Sequence, residues 1–211
     1  MNKLMIAAIT IGAGAAAANA QVSVFTDRAS WEAAIGGAPI TVEDFNSTAP
    51  QPIADGATLD TGLLQVTRDG SANGADGDLA ITAGGGFGDI DGTNYLDGET
   101  GISPHETVNF GFNGQSVFAF GADFASPFSG DGINIRFGGE LFSLDVIGFG
   151  TGFFGLVAGS GATSDVAIVG DPGDITFQEL WQADNVSYAV PAPGAMGLLG
   201  VAGLAATRRR R

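Results

Sequence analysis

The chain has 211 residues, no cysteine, 35 glycines and a formal net charge of −15. The absence of cysteine excludes a disulfide framework and thiol chemistry. Every one of the 23 acids lies between Asp27 and Asp184, where only Arg28, Arg68 and Arg136 are basic, so residues 21–190 carry a formal charge of −20. A surface of that sign repels nucleic acid and anionic membranes.

Residues 1–20 have the three parts of a secretory signal peptide. Lys3 supplies a short positive region, Leu4 to Ala18 an apolar stretch, and Ala18-Asn19-Ala20 a small-x-small cleavage site before Gln21. The expected cut, by signal peptidase, falls between Ala20 and Gln21. Residues 21–189 are then the exported domain, of a size that allows one real core.

Next comes a helix signal, FTDRASWEAAIGG. Thr26 or Asp27 caps the start, Trp31, Ala34 and Ile35 form a stripe, and Gly36 ends it. Beyond it the pattern turns to short runs rich in β-branched and aromatic residues, separated by Gly, Asp and Pro. The runs are 40–45, 63–67, 79–82, 107–112, 116–124, 133–137, 141–148, 153–158, 165–170, 175–181 and 185–190. Such spacing predicts an all-β fold, a jelly-roll-like β-sandwich with one short N-terminal helix. Two hairpins are expected. Gly138-Gly139 forms a two-residue turn that sets Phe137 opposite Glu140, Ile135 opposite Phe142 and Ile133 opposite Leu144. Asn113-Gly114 suggests another, with Phe110 opposite Val117.

The stretch from Arg68 to Gly101 is dense in Asp, Asn and Gly. Asp69, Ser71, Asn73 and Gly74 follow the opening spacing of a calcium loop, and Asp76 and Asp78 come next. The expected glutamate at the twelfth position is Ala80. Asp89, Asp91, Asn94, Asp97 and Glu99 make a second group without a known ligand spacing. Two readings stay open: a Ca²⁺ site among Asp69, Asn73, Asp76, Asp78, Asp89 and Asp91, or a solvated loop whose Asp and Gly serve turn geometry. No other cofactor is indicated.

Catalytic patterns are thin. His105 is the single histidine, no G-x-S-x-G elbow occurs, and one histidine without cysteine makes no zinc pattern. Carboxylate pairs for glycoside hydrolysis are available in number, but no aromatic or apolar setting marks one. Trp31 and Trp181 read as core anchors, with sugar stacking as the alternative.

The chain closes on VPAPGAMGLLGVAGLAATRRRR. Pro191 and Pro193 keep the approach extended. Gly194 to Thr207 would reach only about 21 Å as a helix, against a bilayer core of about 30 Å. Arg208, Arg209, Arg210 and Arg211 would stay on the cytoplasmic side. A plain tail anchor is one reading. The order of Val190-Pro191-Ala192-Pro193, weak hydrophobic helix and arginine cluster also resembles the PEP-CTERM sorting signal of Gram-negative bacteria, with Ala192 where that family most often carries Glu. The match covers residues 190–211. The resemblance implies recognition by an exosortase-type membrane protease, transient anchoring in the inner membrane, release to the cell surface or medium, and a link to extracellular polysaccharide and biofilm. The expected function is therefore an exported, non-catalytic surface or matrix protein. The alternatives are a secreted glycan-active hydrolase on the same sandwich and a structural surface-layer component.

Overall fold

The fold is known from a computed structural model that describes residues 21–69, 79–86, 88–100, 107–126, 133–147, 150–170 and 179–192. Ala18, Ala20, Asn73, Asp76, Asp78, His105, Pro193 and the four terminal arginines lie outside these residues. The elements in chain order are β1 (Val22–Phe25), α1 (Arg28–Ile35), β2 (Ile40–Glu43), β3 (Gln51–Pro52), β4 (Thr58–Asp60), β5 (Gln65–Asp69), β6 (Leu79–Thr82) and β7 (Tyr95–Thr100). There follow β8 (Thr107–Gly111), β9 (Ala119–Ser126), β10 (Asn134–Phe137), β11 (Glu140–Ser143), a 3-10 turn (Leu144–Ile147), β12 (Gly150–Ala158), β13 (Val166–Val169) and β14 (Glu179–Ala189). All strand pairs are antiparallel. They form a sandwich of two sheets. The first runs β1-β12-β9-β14-β7-β6-β3, with β2 also paired to β14; the second runs β11-β10-β13-β8-β5-β4.

The inner faces carry the alternation that the sequence announces. Phe120, Ala122 and Phe124 of β9 and Phe154 and Leu156 of β12 meet Val66, Phe110, Ile135, Val166 and Ile168 of the second sheet in one buried cluster. The rings of Phe110 and Phe120 lie 5.3 Å apart across it, within the range of a favourable aromatic pair.

The Gly138-Gly139 hairpin has the predicted register: Phe137 pairs with Glu140 and Ile135 with Phe142. Both glycines have positive φ (62° and 87°), as a primed turn requires. Leu144 N donates to Ile133 O, but residues 144–147 then leave the sheet as a 3-10 turn, so the strand expected over 141–148 is half strand. The Asn113-Gly114 hairpin is corrected. β8 pairs with β5 and β13, while β9 pairs with β12 and β14, so this turn passes from one sheet to the other. Phe110 faces Val66 and Val166 instead of Val117. Val117 instead makes an isolated bridge with Thr163.

The two runs expected over 175–181 and 185–190 contribute to a single strand, β14. Asp184 faces Asp123 and Ser187 faces Gly121, so three steps on β14 match two on β9. This is a β-bulge, with Asn185 in the left-handed region at φ 51°. Its effect is a change of parity: Trp181 and Ala183 point into the core before it, and Val186 and Tyr188 after it. The bulge also lies where β7 ends as the neighbour of β14 and β2 begins.

Residues 95–100, read from sequence as part of an acidic loop, are the interior strand β7, between β14 and β6. Gly98 makes this possible. A Cβ there would lie 2.2 Å from Trp181 Cζ2, so the indole packs on bare backbone.

Candidate functional site

The outer face of the first sheet is covered from two sides. α1 lies over β12, and the loop between β6 and β7 lies over β14. A polar cluster links the two, from Arg28 on α1 through Asp123 and Asp184 to Thr93 in the loop.

Helix α1 is built by its caps. Asp27 has extended backbone, and its carboxylate accepts from Ala29 N (3.2 Å), Ser30 N (3.1 Å) and the Ser30 hydroxyl. The Ser30 hydroxyl is the main cause of the lowered Asp27 pKa. Gly36 closes the helix at φ 70°. Trp31 is fully buried, donates from Nε1 to Leu156 O at 3.1 Å, and sits 5.5 Å from the Phe153 ring. Gly155 admits it: a Cβ there would lie 2.5 Å from Trp31 Cδ1. With Trp31 fixed, Arg28 on the first turn faces the bulge.

Arg28 Nη2 pairs with Asp123 Oδ2 at 2.9 Å and reaches Asn185 O at 3.3 Å. Nη1 donates to Ser187 Oγ at 2.9 Å, and Ser187 Oγ donates to Asn185 O at 2.7 Å. The guanidinium lies 4.6 Å from the Phe153 ring centroid. One cation thus joins the helix, β9 and β14.

Asp184 is fully buried beside this pair. Its Oδ1 accepts from Asn185 N at 2.6 Å. The hydroxyl of Thr93, in the covering loop, reaches Asp184 Oδ2 at 3.4 Å and Asp91 Oδ1 at 2.5 Å. That hydroxyl carries one proton, so both contacts are hydrogen bonds only when one carboxyl is in its acid form. Electrostatics picks Asp184. Burial first, then the charges of Asp91 and Asp123, push its pKa up to about 7, against the opposing bonds from Asn185 and Thr93. Asp91, bonded first to the Thr93 hydroxyl, is held below the ordinary carboxylate range.

The rest of the loop is fastened by its own polar groups. Asp89 accepts from Gly85 N and Gly92 N, both at 2.6 Å. Asn94 N donates to Asn46 Oδ1 and Asn94 Nδ2 to Thr48 O. Gly88 approaches Gln182 so closely that a Cβ would meet its Cδ at 2.3 Å. Gln182 in turn donates to Asp97 Oδ1 at 2.9 Å.

Of the suggested calcium ligands, the structure does not bring Asp69 to Asp89 and Asp91. Asp69 ends β5 in the second sheet, where Thr107 Oγ1 donates to it at 3.4 Å. Asp89 and Asp91 hold the turn of their own loop on the first sheet. Among the described residues no group of three or more His, Asp or Glu is arranged to hold a metal ion. Val190 is half-buried against the core, while Pro191, Ala192 and Gln21 are exposed. Trp31 and Trp181 are both fully buried, as core anchors should be.

Sequence reasoning missed Arg28, Thr93, Asp123, Asp184 and Ser187 as a group. One signal was available: Asp184-Asn185 interrupts an apolar strand pattern, and a polar pair there marks a bulge or a buried site. No protein-family model matches the chain, and no curated protein matches it.

Proposed function

We propose that this is an exported, non-catalytic protein of the cell surface or extracellular matrix, sorted through residues 190–211 by an exosortase-type protease and at work among extracellular polysaccharide. The observation that carries the reading is the pairing of a signal-peptide pattern over 1–20 with the proline pair, weak apolar segment and arginine cluster.

The fold is compatible with that route. Gly159 N donates to Gln21 O, Ala158 N to Phe118 O, and Phe118 N to Ala189 O. The strand entering from the leader and the strand leading to the tail therefore sit at the same end of the first sheet, three strand spacings or about 14 Å apart. Both ends can meet one membrane without the chain crossing the domain. The −20 charge suits a hydrated matrix and keeps the domain off anionic lipid.

The hydrolase reading has one supporting observation, the Asp91–Asp184 pair with one raised pKa. Against it, the pair is linked by a single hydroxyl and Asp184 is fully buried, whereas glycosidase carboxyls stand about 5–9.5 Å apart with a sugar between them.

The test is the C-terminus of the native protein, read by mass spectrometry from cells and medium separately. A chain ending near Pro191–Ala195, without the arginines, is the expected result. An intact Arg211 terminus in the membrane fraction overturns the sorting reading.

A further inference from the structure

We propose that Gln21 is a modification site: once it becomes the first residue, it closes on itself to pyroglutamate. This rests on the reading of residues 1–20 as a cleaved leader. The chemistry needs only the residue itself. The deprotonated α-amine attacks Cδ of the side-chain carboxamide, a C–N bond forms, the bond from Cδ to the amide nitrogen breaks, and ammonia leaves. A five-membered lactam remains, with no oxidant, reductant or co-reactant. An α-amine with an ordinary pKa of about 7.7–8.0 is partly deprotonated at neutral pH.

Two features of the structure suit the step. Gln21 is exposed, so its side chain can turn back on its own amine. Its carbonyl is held by Gly159 N at 3.1 Å, and the ladder begins only at Val22 opposite Ala158. The lactam keeps that carbonyl, so ring closure costs the sheet no hydrogen bond. The electrostatic effect is also simple. Arg28, Arg68 and Arg136 are paired with Asp123, Asp55 and Asp165. An α-ammonium at Gln21 would be the fourth positive charge of residues 21–192, and cyclisation removes it. The product has no free amine for an aminopeptidase to grip.

The experiment uses the full chain, expressed in a host with signal peptidase and recovered from the exported fraction. One portion is amine-labelled at lysis and a second, unlabelled portion only after incubation at about pH 8, and the tryptic peptide Gln21–Arg28 of each is weighed. The expected result is a peptide lighter by one ammonia, unlabelled, that becomes sequenceable after digestion with pyroglutamyl aminopeptidase. A Gln21–Arg28 peptide of full mass with a labelled amine, unchanged by the incubation, overturns the proposal and leaves the leader reading standing. A first residue other than Gln21 overturns both. The Gln21→Asn chain would need a four-membered ring and should keep its amine; the same mass loss in that variant would place the chemistry elsewhere and sink the assignment.

Discussion

The two outer faces of this sandwich are built from similar strands and treated in opposite ways. The first sheet is roofed by α1 and the β6–β7 loop, which bury Gln182, Asp184 and Ser187 and leave the Arg28–Asp123 pair partly exposed at the edge. The second keeps a row of short polar groups: Thr58 and Thr67 hydroxyls 2.8 Å apart, Asn109 joined to Arg136 at 3.0 Å, and Arg136 paired with a half-exposed Asp165 at 2.7 Å. An ion pair in water is nearly neutral for stability, but a carboxyl under a roof loses its hydration and must be bonded or protonated. Under the roof, burial pushes the pKa of Asp184 up to about 7.

The sharpest way to break the contrast is to lift the roof. Trp31→Ala removes a fully buried indole, its bond to Leu156 O and its contact with Phe153. A loss of about 3–5 kcal/mol is expected, read as a fall in denaturation midpoint. Arg28→Met keeps the stem over Phe153 but strips Asp123 and Ser187 of their donor; the expected cost is about 2 kcal/mol in urea unfolding. Arg136→Met on the other face, where the guanidinium is bonded to Asp165 and Asn109, should cost below about 1 kcal/mol, and equal losses would show that the additional partners of Arg28 add nothing.

Asp184 supplies a pH test. Its folded pKa of about 7 stands above the ordinary value of 3.8. Between those values the folded state holds a proton that the unfolded state has released, so its contribution to stability is full below about pH 4, falls as pH rises, and is gone above about pH 7. Asp184→Asn should flatten that decline in melting temperature; parallel profiles for the two proteins would show that Asp184 is not the group responsible. The smallest effect is expected at the exposed helix start, where Asp27→Ala loses the cap and should lower the melting temperature only slightly, measured by thermal melting.

Much of the fold was legible because its rules are local. Asp27, Trp31, Ile35 and Gly36 specified α1 within a single turn of its observed ends, and Gly138-Gly139 specified a register. Strand 95–100 was not legible: its Asp97, Gly98 and Glu99 look like loop, and Gly98 belongs in a strand only because Trp181, 83 positions away, lies on it. The Asn113-Gly114 turn had the right residues and the wrong partner, since a turn signal says that the chain reverses and not into which sheet. Of the candidate site, Asp89 and Asp91 were noticed for their density and carry turn geometry; Asp184 stayed hidden because the bulge that seats it also splits the apolar pattern of β14 into two.

Composition, alternation and caps by themselves determined an acidic β-sandwich with one helix, because periodicity and turn chemistry act over a few residues. Only the tertiary structure decided which strands pair, which face is roofed and which aspartate keeps its proton. Those outcomes depend on residues 95 and 159 positions apart, as Arg28 is from Asp123 and Ser187, and on loss of water, which no local pattern encodes.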